Sequence, residues 1–240
     1  MTTDIVIPTY NLPDMTVACL DSIRRYTSDY RVVWVDNGSS EVAKGQVREA
    51  LADMPHMALM FNSNQGFIRA TNAGIRASTG AHLCLLNNDT EVEPEWLERM
   101  LAVFQDDPRI GLVGPTTTAG SWQNRAKVLA RMGANPPRWL RVHTMLAFFC
   151  VVLKREVVEK VGLLDEQYGV GFGDDDDYSR RADQAGFRMA LAMDVTIKHH
   201  HRTTFRSLYS DQEIRQMQST AMARYNKSWG LYPHSPRLSR

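Results

Sequence analysis

Residues 31–40 read RVVWVDNGSS, and this stretch decides the fold class. Its first six residues are a β-branched apolar run that predicts a buried strand, and residues 37–40 are typical of a turn. Similar short apolar runs occur at residues 4–8 (DIVIP) and 82–86 (HLCLL), and a segment with helical spacing, such as residues 14–26, follows the first of them. Strands that alternate with helices predict βαβ units. We therefore expect an α/β fold with a mostly parallel central sheet flanked by helices.

The alternation of strand and helix patterns continues along the rest of the chain. It predicts further strands at residues 57–62, 110–114, 145–153, 188–192 and 196–199, and further helices at residues 41–54, 66–78, 94–105, 156–161, 175–185 and 211–229. Residues 115–144 are rich in Trp, Gly and Pro and are expected to be irregular. Because the sequence has neither an internal repeat nor an obvious linker, residues 1–240 are expected to form a single domain.

Composition excludes several classes of protein. The chain has 240 residues, of which 43% are hydrophobic and 23% charged, and this excludes a disordered chain. The longest apolar run, residues 145–153, is too short to cross a bilayer, and residues 1–10 lack the pattern of a signal peptide. Cys19, Cys84 and Cys150 have apolar neighbours and form no CxxC motif, so we expect reduced, buried thiols in a cytoplasmic protein.

Charge is unevenly distributed, although the net charge is only +1. Residues 108–155 carry eight Lys or Arg and no Asp or Glu, and we call them the basic segment. Such a segment either attracts phosphate or another anion, or pairs with acids elsewhere in the fold. Its candidate binding side chains are basic residues interleaved with tryptophans: Trp122, Arg125, Lys127, Arg131, Arg138, Trp139 and Arg141.

Polar or small residues follow the predicted parallel strands at residues 9–11, 36–37, 64–66 and 87–89. Ligands of open α/β sheets bind beyond the carboxyl ends of the strands, so these residues predict a binding site at that edge. The first turn reads PTYNLPD, which lacks the GxGxxG fingerprint, and the chain has no GxxxxGK[ST] motif. A nicotinamide enzyme is therefore a poor fit, and a P-loop protein is excluded.

Three groups of acidic residues or histidines can each be interpreted in two ways. Asp89 at a strand end either holds a divalent metal or caps a turn. Residues 174–177 are four consecutive aspartates, whose mutual repulsion raises at least one pKa unless a cation offsets it. A helix start accounts for two of them, and a general base or metal site would account for the rest. The histidines at residues 199–201 either supply a metal ligand or are structural.

Six motifs occur in order: VIPTYN, VDNGSS, NQGFIRATNAGI, LLNNDTEVEPEWL, GFGDDDDYSRRADQAGFR and IKHHH. Together they resemble the family 2 glycosyltransferases of the GT-A fold over roughly residues 4–205. The resemblance implies a GT-A sheet with a smaller acceptor-side region and a C-terminal helix. It also implies a nucleotide-sugar-binding half at residues 1–114 and an acceptor-binding and catalytic half at residues 115–240.

The implied activity is transfer of a sugar, with inversion, from a nucleoside diphosphate sugar (a UDP-sugar is favoured) to a hydroxyl group. The resemblance implies these donor-binding residues: Pro8, Thr9, Tyr10, Asn11, Asp36, Asn37, Gly66, Arg69, Asn72, Asn87 and Asn88. It makes Asp175 the general base with Asp174 second, and Asp89 and His199 the ligands of Mn²⁺ or Mg²⁺. The chain departs from the family pattern at Asn87, where the metal motif has Asp, and at Asp174, where a Glu is usual.

The acceptor is left open by the sequence. In the GT-A fold the segment after the fifth strand shapes the acceptor side, and here that is the basic segment. A glycan or lipid-linked sugar is one candidate, and DNA with a hydroxymethylated base is the other, because basic side chains hold phosphates and aromatic rings stack on bases. Other classes are a non-catalytic sugar-nucleotide or anion-binding module and a nucleotidyltransferase. The main interpretation requires Asp89, Asp175 and His199 to meet at one cavity.

Overall fold

A computed structural model describes residues 2–118, 121–133, 135–200, 203–230 and 237–239. The elements up to residue 117 are β1 (Thr3–Thr9), α1 (Pro13–Tyr26), β2 (Tyr30–Asp36), α2 (Glu41–Leu51), β3 (His56–Met60), α3 (Phe67–Ala77), β4 (His82–Leu86), β5 (Thr90–Glu91), α4 (Trp96–Asp106) and β6 (Ile110–Thr117). Those that follow are α5 (Arg125–Met132), β7 (Trp139–Val142), β8 (Cys150–Lys154), α6 (Arg155–Val161), a 3-10 turn (Glu166–Tyr168), α7 (Asp174–Gln184), β9 (Arg188–His199), α8 (Thr203–Leu208), α9 (Asp211–Trp229) and β10 (Leu238–Ser239).

The strands form one sheet in the order β10-β7-β9-β6-β8-β4-β1-β2-β3. The neighbours β4, β1, β2 and β3 are parallel, as are β6 and β9. Strand β8 is antiparallel to both of its neighbours, and β7 is antiparallel to β9. The α/β class is confirmed, but the sheet is mixed rather than mostly parallel. The continuous apolar run of β8 indicates burial on both faces and carries no information on strand direction.

The basic segment is more regular than predicted. Strand β6 continues to Thr117, and the segment also contains α5 and β7. Helix α5 starts after Asn124, whose side chain accepts a hydrogen bond from the backbone N–H of Lys127. Because α5 buries only Val128, its sequence lacks an apolar stripe, and this explains why its periodicity is weak.

Two predicted strand boundaries are also corrected. The run at residues 145–153 is a strand only from Cys150, and residues 145–149 form a loop ahead of it. The predicted strands 188–192 and 196–199 are one strand, β9. Its pairing with β6 changes register between Pro115 and Thr116, as at a bulge, and this irregularity interrupts the apolar pattern that the sequence shows.

Apolar side chains are buried on both faces of the sheet. One core contains Trp34 and Trp96 beneath α1, α2 and α4, and the other lies beneath α3, α6 and α7. Cys19, Cys84 and Cys150 are buried and carry free thiols, as predicted. Within the part of the chain that the structure describes, none of the helices has the length and apolar composition needed to cross a bilayer.

Candidate active site

A cavity of about 520 Å³ lies at the carboxyl ends of β1, β2 and β4. One wall follows those strands and the start of α3: Pro8, Thr9, Tyr10, Asn37, Asn64, Gly66, Phe67, Asn87, Asn88 and Asp89. Much of the remaining lining comes from residues 170–176, His199 and side chains of α8 and α9. Asp89, Asp175 and His199 therefore line one shared cavity, at the edge of the sheet where the sequence predicts a binding site.

Asp89 and His199 meet because two strands pair across the chain. Strand β5 begins directly after Asp89 and pairs antiparallel with the end of β9, with Thr90 opposite His199. The Oδ1 atom of Asp89 lies 3.2 Å from Nε2 of His199, and both side chains are buried. The ring of Phe149 stacks on the imidazole with 4.8 Å between ring centroids. Strand pairing and stacking together fix the imidazole beside the carboxylate.

The pair has the chemistry of a divalent metal site. Carboxylate oxygen and imidazole nitrogen are both ligands of Mn²⁺. Adjacent ligands of an octahedral ion with bonds of about 2.1 Å are roughly 3 Å apart, and the separation of Asp89 and His199 fits this geometry. Among the described residues no group of three or more His, Cys, Asp or Glu could hold a metal. Other ligands would therefore have to come from substrate, water or neutral side chains such as the neighbouring Asn87.

The four aspartates at the start of α7 divide into two kinds. Asp174, Asp175 and Asp176 line the cavity. Asp177 turns into the fold, where its carboxylate accepts hydrogen bonds from Nε of Arg181 and from Nε1 of Trp229, each at 2.8 Å. Asp177 is therefore a structural residue. Asp176 is a cavity residue that we did not predict as part of the site, although it belongs to the acidic run.

Burial controls the ionisation of the cavity carboxylates. Burial, followed by the negative charge of Asp175, raises the pKa of Asp174 to about 8. Burial also raises the pKa of Asp175, against the opposing effect of a 3.0 Å hydrogen bond from the backbone N–H of Asp176. The charge of Asp175 acts on Asp174 in the direction that the crowding predicts, but burial contributes more to the raised pKa. At neutral pH the two neighbouring groups therefore hold a proton between them.

The loop before α7 brings an aromatic ring to the cavity. Phe172 has a φ of +71°, in the left-handed region that an aromatic residue rarely adopts, and it lies between Gly171 and Gly173. A Cβ on Gly171 would lie 2.8 Å from the ring of Phe205, so only glycine fits there. No sequence motif predicts this aromatic and apolar part of the lining, which consists of Phe172, Phe205, Leu208, Tyr209, Ala221 and Met222.

The turns after β1 and β2 are tied together by side chains predicted to bind the donor. Asn11 accepts a hydrogen bond from the backbone N–H of Ser40, and it does not line the cavity. Asn37 does line it, and its amide holds the next loop by accepting from the N–H of Gln65 at 2.8 Å and donating to Asn64 at 2.9 Å. The two residues keep the turns in place, and Asn37 also faces the cavity.

Asp36 lies just behind the cavity wall and is 1% exposed. Its Oδ2 accepts hydrogen bonds from the backbone N–H groups of Gly38 and Ser39, each at 3.1 Å, and Nζ of Lys44 lies 3.9 Å away. Its Oδ1 is buried and has no hydrogen-bond partner among the described residues. A buried acceptor without a partner is costly, so this atom is a candidate to receive a ligand N–H.

Besides Asn11 and Asp36, two further predicted donor-binding residues are not among the described lining residues of the cavity. The side chain of Asn72 is fully buried and bound to Leu164, donating to its carbonyl at 2.9 Å and accepting from its N–H at 3.0 Å. Arg69 is exposed, with Nε 3.3 Å from Oε2 of Glu166. The side chain of Asn72 therefore faces Leu164 rather than the cavity, and a contact between Arg69 and the donor stays a prediction.

The predicted acceptor-binding side chains of the basic segment are also outside the cavity. None of them is among its described lining residues: Trp122, Arg125, Lys127, Arg131, Arg138, Trp139 and Arg141. Arg138 and Nε1 of Trp139 both bind the carboxylate of Asp106, and Arg125 donates to the carbonyl of Met193. The alternative that these charges pair elsewhere in the fold holds for Arg138. From this segment Ser121, Met145 and residues 147–149 contribute to the lining.

Comparison with known proteins identifies the family. The model of Glycosyl transferase family 2 matches residues 4–162, more than half of the chain. The O-antigen biosynthesis protein RfbC of Myxococcus xanthus is 26% identical over 225 residues, which cover 85% of this chain and 18% of that protein. Glycosyltransferase AglE of Haloferax volcanii is 27% identical over 200 residues, covering 80% and 64%. The chain thus spans less than two thirds of either relative.

Solved structures share the fold at low identity. GalNAc-T7, solved with UDP, GalNAc and Mn²⁺, matches with a TM-score of 0.67 and 17% identity over 83% of this chain and 44% of that one. The mannosyltransferase PcManGT from Pyrobaculum calidifontis, solved with GDP-Man and Mn²⁺, matches with a TM-score of 0.66 and 17% identity over 95% and 76%. These matches confirm the GT-A fold that the motifs imply.

Proposed function

Because the chain belongs to glycosyl transferase family 2, we propose that it transfers a sugar from a nucleoside diphosphate sugar to an acceptor hydroxyl group. The observation that carries this proposal is the shared cavity, which is lined by Asp89, Asp175 and His199. A single displacement at the anomeric carbon forms the new C–O bond as the diphosphate departs from the opposite face. The sugar is then inverted, and no protein nucleophile is required.

Asp175 is the proposed general base. The acceptor hydroxyl loses its proton as its oxygen bonds to the sugar, and the carboxylate of Asp175 takes that proton. Burial raises the pKa of Asp175, which makes its carboxylate a stronger proton acceptor than one in water. Asp174, with a pKa of about 8, carries a proton at neutral pH. It leaves the negative charge to its neighbour, so the adjacent acids take different roles.

The departing diphosphate needs positive charge. No Lys or Arg is among the described residues that line the cavity. Asp89 and His199 would hold a Mn²⁺ or Mg²⁺ ion, which when bound neutralises charge on the leaving group. The Mn²⁺ in the GalNAc-T7 and PcManGT structures supports this assignment.

Asp36 supports a preference among donor bases. The buried Oδ1 without a partner is a hydrogen-bond acceptor. Uracil and guanine carry a ring N–H on their pairing edge, whereas cytosine and adenine present a ring nitrogen lone pair there. A UDP- or GDP-sugar would satisfy the carboxylate through this ring N–H, whereas a CDP-sugar could do so only through its exocyclic amino group. Of the two, we retain a UDP-sugar as the prediction.

A glycan or lipid-linked sugar is the proposed acceptor. The name of the Myxococcus relative refers to O-antigen biosynthesis, which is glycan assembly. The argument for DNA depended on the basic segment, and its predicted binding side chains lie outside the cavity. DNA is therefore no longer proposed.

The proposal is tested by turnover. The protein is incubated with UDP-, GDP- and CDP-sugars and Mn²⁺, and released nucleoside diphosphate is measured for wild type, Asp175→Asn and Asp183→Asn. Asp183 lies on the same helix and is 42% exposed, so it serves as a matched control. We expect turnover with UDP or GDP donors that is lost in Asp175→Asn alone. Donor binding without any turnover would instead support a non-catalytic module.

A further inference from the structure

A second cavity, of about 570 Å³, lies further along α7 and separate from the first in its lining residues. Four segments of the chain converge on it, and the side chains that define it are His143, Thr144, Arg180, Tyr225, Trp229 and Arg237. Among the described lining residues it has two guanidinium groups and no Asp or Glu. Its chemistry is therefore the reverse of that of the first cavity, which is acidic.

Two hydrogen-bond donors of this cavity are unused. Nε of Arg180 and Oγ1 of Thr144 are buried and have no hydrogen-bond partner among the described residues. The acid closest to Arg180 in its ion pairs is Asp183, at 4.0 Å from Nη1, which is beyond hydrogen-bond distance. Since buried donors are rarely left without an acceptor, the arrangement fits a ligand that brings acceptors of its own.

The surroundings are positive. His143 is held in place by its backbone N–H, which donates to the carbonyl of Arg237 at 2.9 Å, and by Nε2, which lies 2.8 Å from Oγ of Ser239. Burial and the charges of Arg141, Arg188 and Arg237 lower the pKa of His143, against one opposing carboxylate, Asp183. Three guanidinium groups thus act on this imidazole, and a bound anion would share that potential.

The remaining wall is aromatic. The Nε1 atom of Trp229 is already used by Asp177, so its polar atom is not available to a ligand. Tyr225 is 5% exposed and lies on the same side of α9, one turn earlier. An anion in this cavity would therefore meet both guanidinium charge and aromatic rings.

We propose that this second cavity binds the phosphoryl group of a ligand other than the sugar donor. Guanidinium groups match the oxygens of a tetrahedral oxyanion and hold them with charge-assisted hydrogen bonds. The hydroxyl of Thr144 supplies a further donor, and Tyr225 and Trp229 line the space for any organic substituent. The proposal does not depend on the proposed transfer reaction, because the two cavities have different linings.

The test is a calorimetric titration of inorganic phosphate into the full chain, with a chelator present so that no metal recruits phosphate to the first cavity. We expect saturable binding that weakens about tenfold in Arg180→Gln and again in Arg237→Gln. Thr144→Val removes the hydroxyl at nearly constant volume and leaves both guanidinium groups, and should weaken binding severalfold. The matched control is Arg48→Gln, an exposed arginine on α2, which should bind as wild type does.

Unchanged phosphate affinity in Arg180→Gln/Arg237→Gln, or no saturable binding by wild type, would overturn the proposal. Circular dichroism and the thermal midpoint check that each variant is folded, and Thr144→Val keeps the test open if an arginine variant is not. Phenyl phosphate identifies the source of the phosphoryl group. Tighter binding than inorganic phosphate assigns a substituted phosphate to the site, and equal binding assigns the free oxyanion.

Discussion

Two acidic groups line the same cavity, and the fold holds them in opposite ways. Asp89 lies 3.2 Å from an imidazole, fixed by strand pairing and by the ring of Phe149. Asp174 and Asp175 lie beside each other, and burial raises the pKa of both. The first arrangement suits a cation and a departing diphosphate, and the second suits a proton. Their environments, more than their residue type, assign the roles.

The largest effect is expected at the proton-accepting group. Asp175→Asn keeps the shape of the side chain and removes its basicity, so the transfer rate should fall about 10²- to 10⁴-fold. The dissociation constant of the donor should change little, because donor binding is assigned to the residues that follow β1, β2 and β4 and to the Asp89–His199 pair. The two quantities are measured by product formation under saturating donor and by calorimetry with UDP.

Asp183→Asn is the control, since it removes one carboxylate from the same helix at an exposed position. If Asp175→Asn retained full activity, the general base would have to be another acid, with Asp174 and Asp176 the next to test. Equal losses in both variants would point to damage of α7 rather than to lost basicity.

A slightly smaller effect is expected at the cation side. Asp89→Asn and His199→Ala should each lower the transfer rate about 10²- to 10³-fold and raise the Mn²⁺ concentration needed for half-maximal activity. Removal of metal from the wild type with a chelator should produce a loss of similar size. A Mn²⁺ titration of activity measures both effects.

Glu91→Gln is the matched control for this side. Glu91 lies on β5, two residues after Asp89, but faces Lys198 and His200, with which its Oε1 forms contacts of 2.6 and 2.9 Å. It should leave the Mn²⁺ requirement unchanged. An Asp89→Asn variant with wild-type Mn²⁺ dependence would show that the metal does not bind at Asp89 and His199. The contrast between the two acidic groups would then fail.

The raised pKa of Asp174 predicts how stability depends on pH. The folded state keeps a proton on Asp174 up to a pKa of about 8, whereas the unfolded chain releases it near its ordinary value of 3.8. The folded state thus binds more protons in this interval, so its free energy of unfolding falls as pH rises, by up to about 1.4 kcal/mol per pH unit. Asp174→Asn should flatten this slope, as measured by urea unfolding between about pH 5 and 8. Asp183→Asn should retain it, and an unchanged slope in Asp174→Asn would contradict the assignment.

The two acidic groups also differ in how far the sequence predicts them. The aspartates at residues 174–177 are contiguous, so their crowding follows from the sequence itself, whereas the burial that contributes most to the raised pKa of Asp174 and Asp175 comes from the fold. Asp89 and His199 are 110 positions apart, and they meet through the pairing of β5 with β9, a two-residue ladder with no periodicity of its own. The family motifs implied that Asp89 and His199 meet, whereas the local sequence around each residue did not.

The other differences between the predicted and the observed site have the same cause. Asn72 and Arg69 lie in a motif near the site, but the rotation of α3 decides which side chains reach the cavity, and one-dimensional spacing does not fix that rotation. The aromatic wall around Phe172 depends on a strained φ and on helix packing. Strands β1, β2 and β4, which carry short continuous apolar runs, were predicted well because burial determines their pattern.

The smallest effect is expected outside both acidic groups. Arg138→Gln should change the transfer rate less than about twofold and the free energy of unfolding by less than about 1 kcal/mol, because its ion pair with Asp106 is 38% exposed on each side.

Arg181→Gln is the contrasting variant. The guanidinium of Arg181 binds buried Asp177 and the carbonyls of Val161 and Leu163, so its loss leaves three acceptors in need of partners. The free energy of unfolding should fall by about 1–3 kcal/mol. Urea unfolding and product formation measure both. A large loss of transfer in a stably folded Arg138→Gln variant would instead support a role of the basic segment in acceptor binding, because Arg138 is not among the described residues that line the cavity.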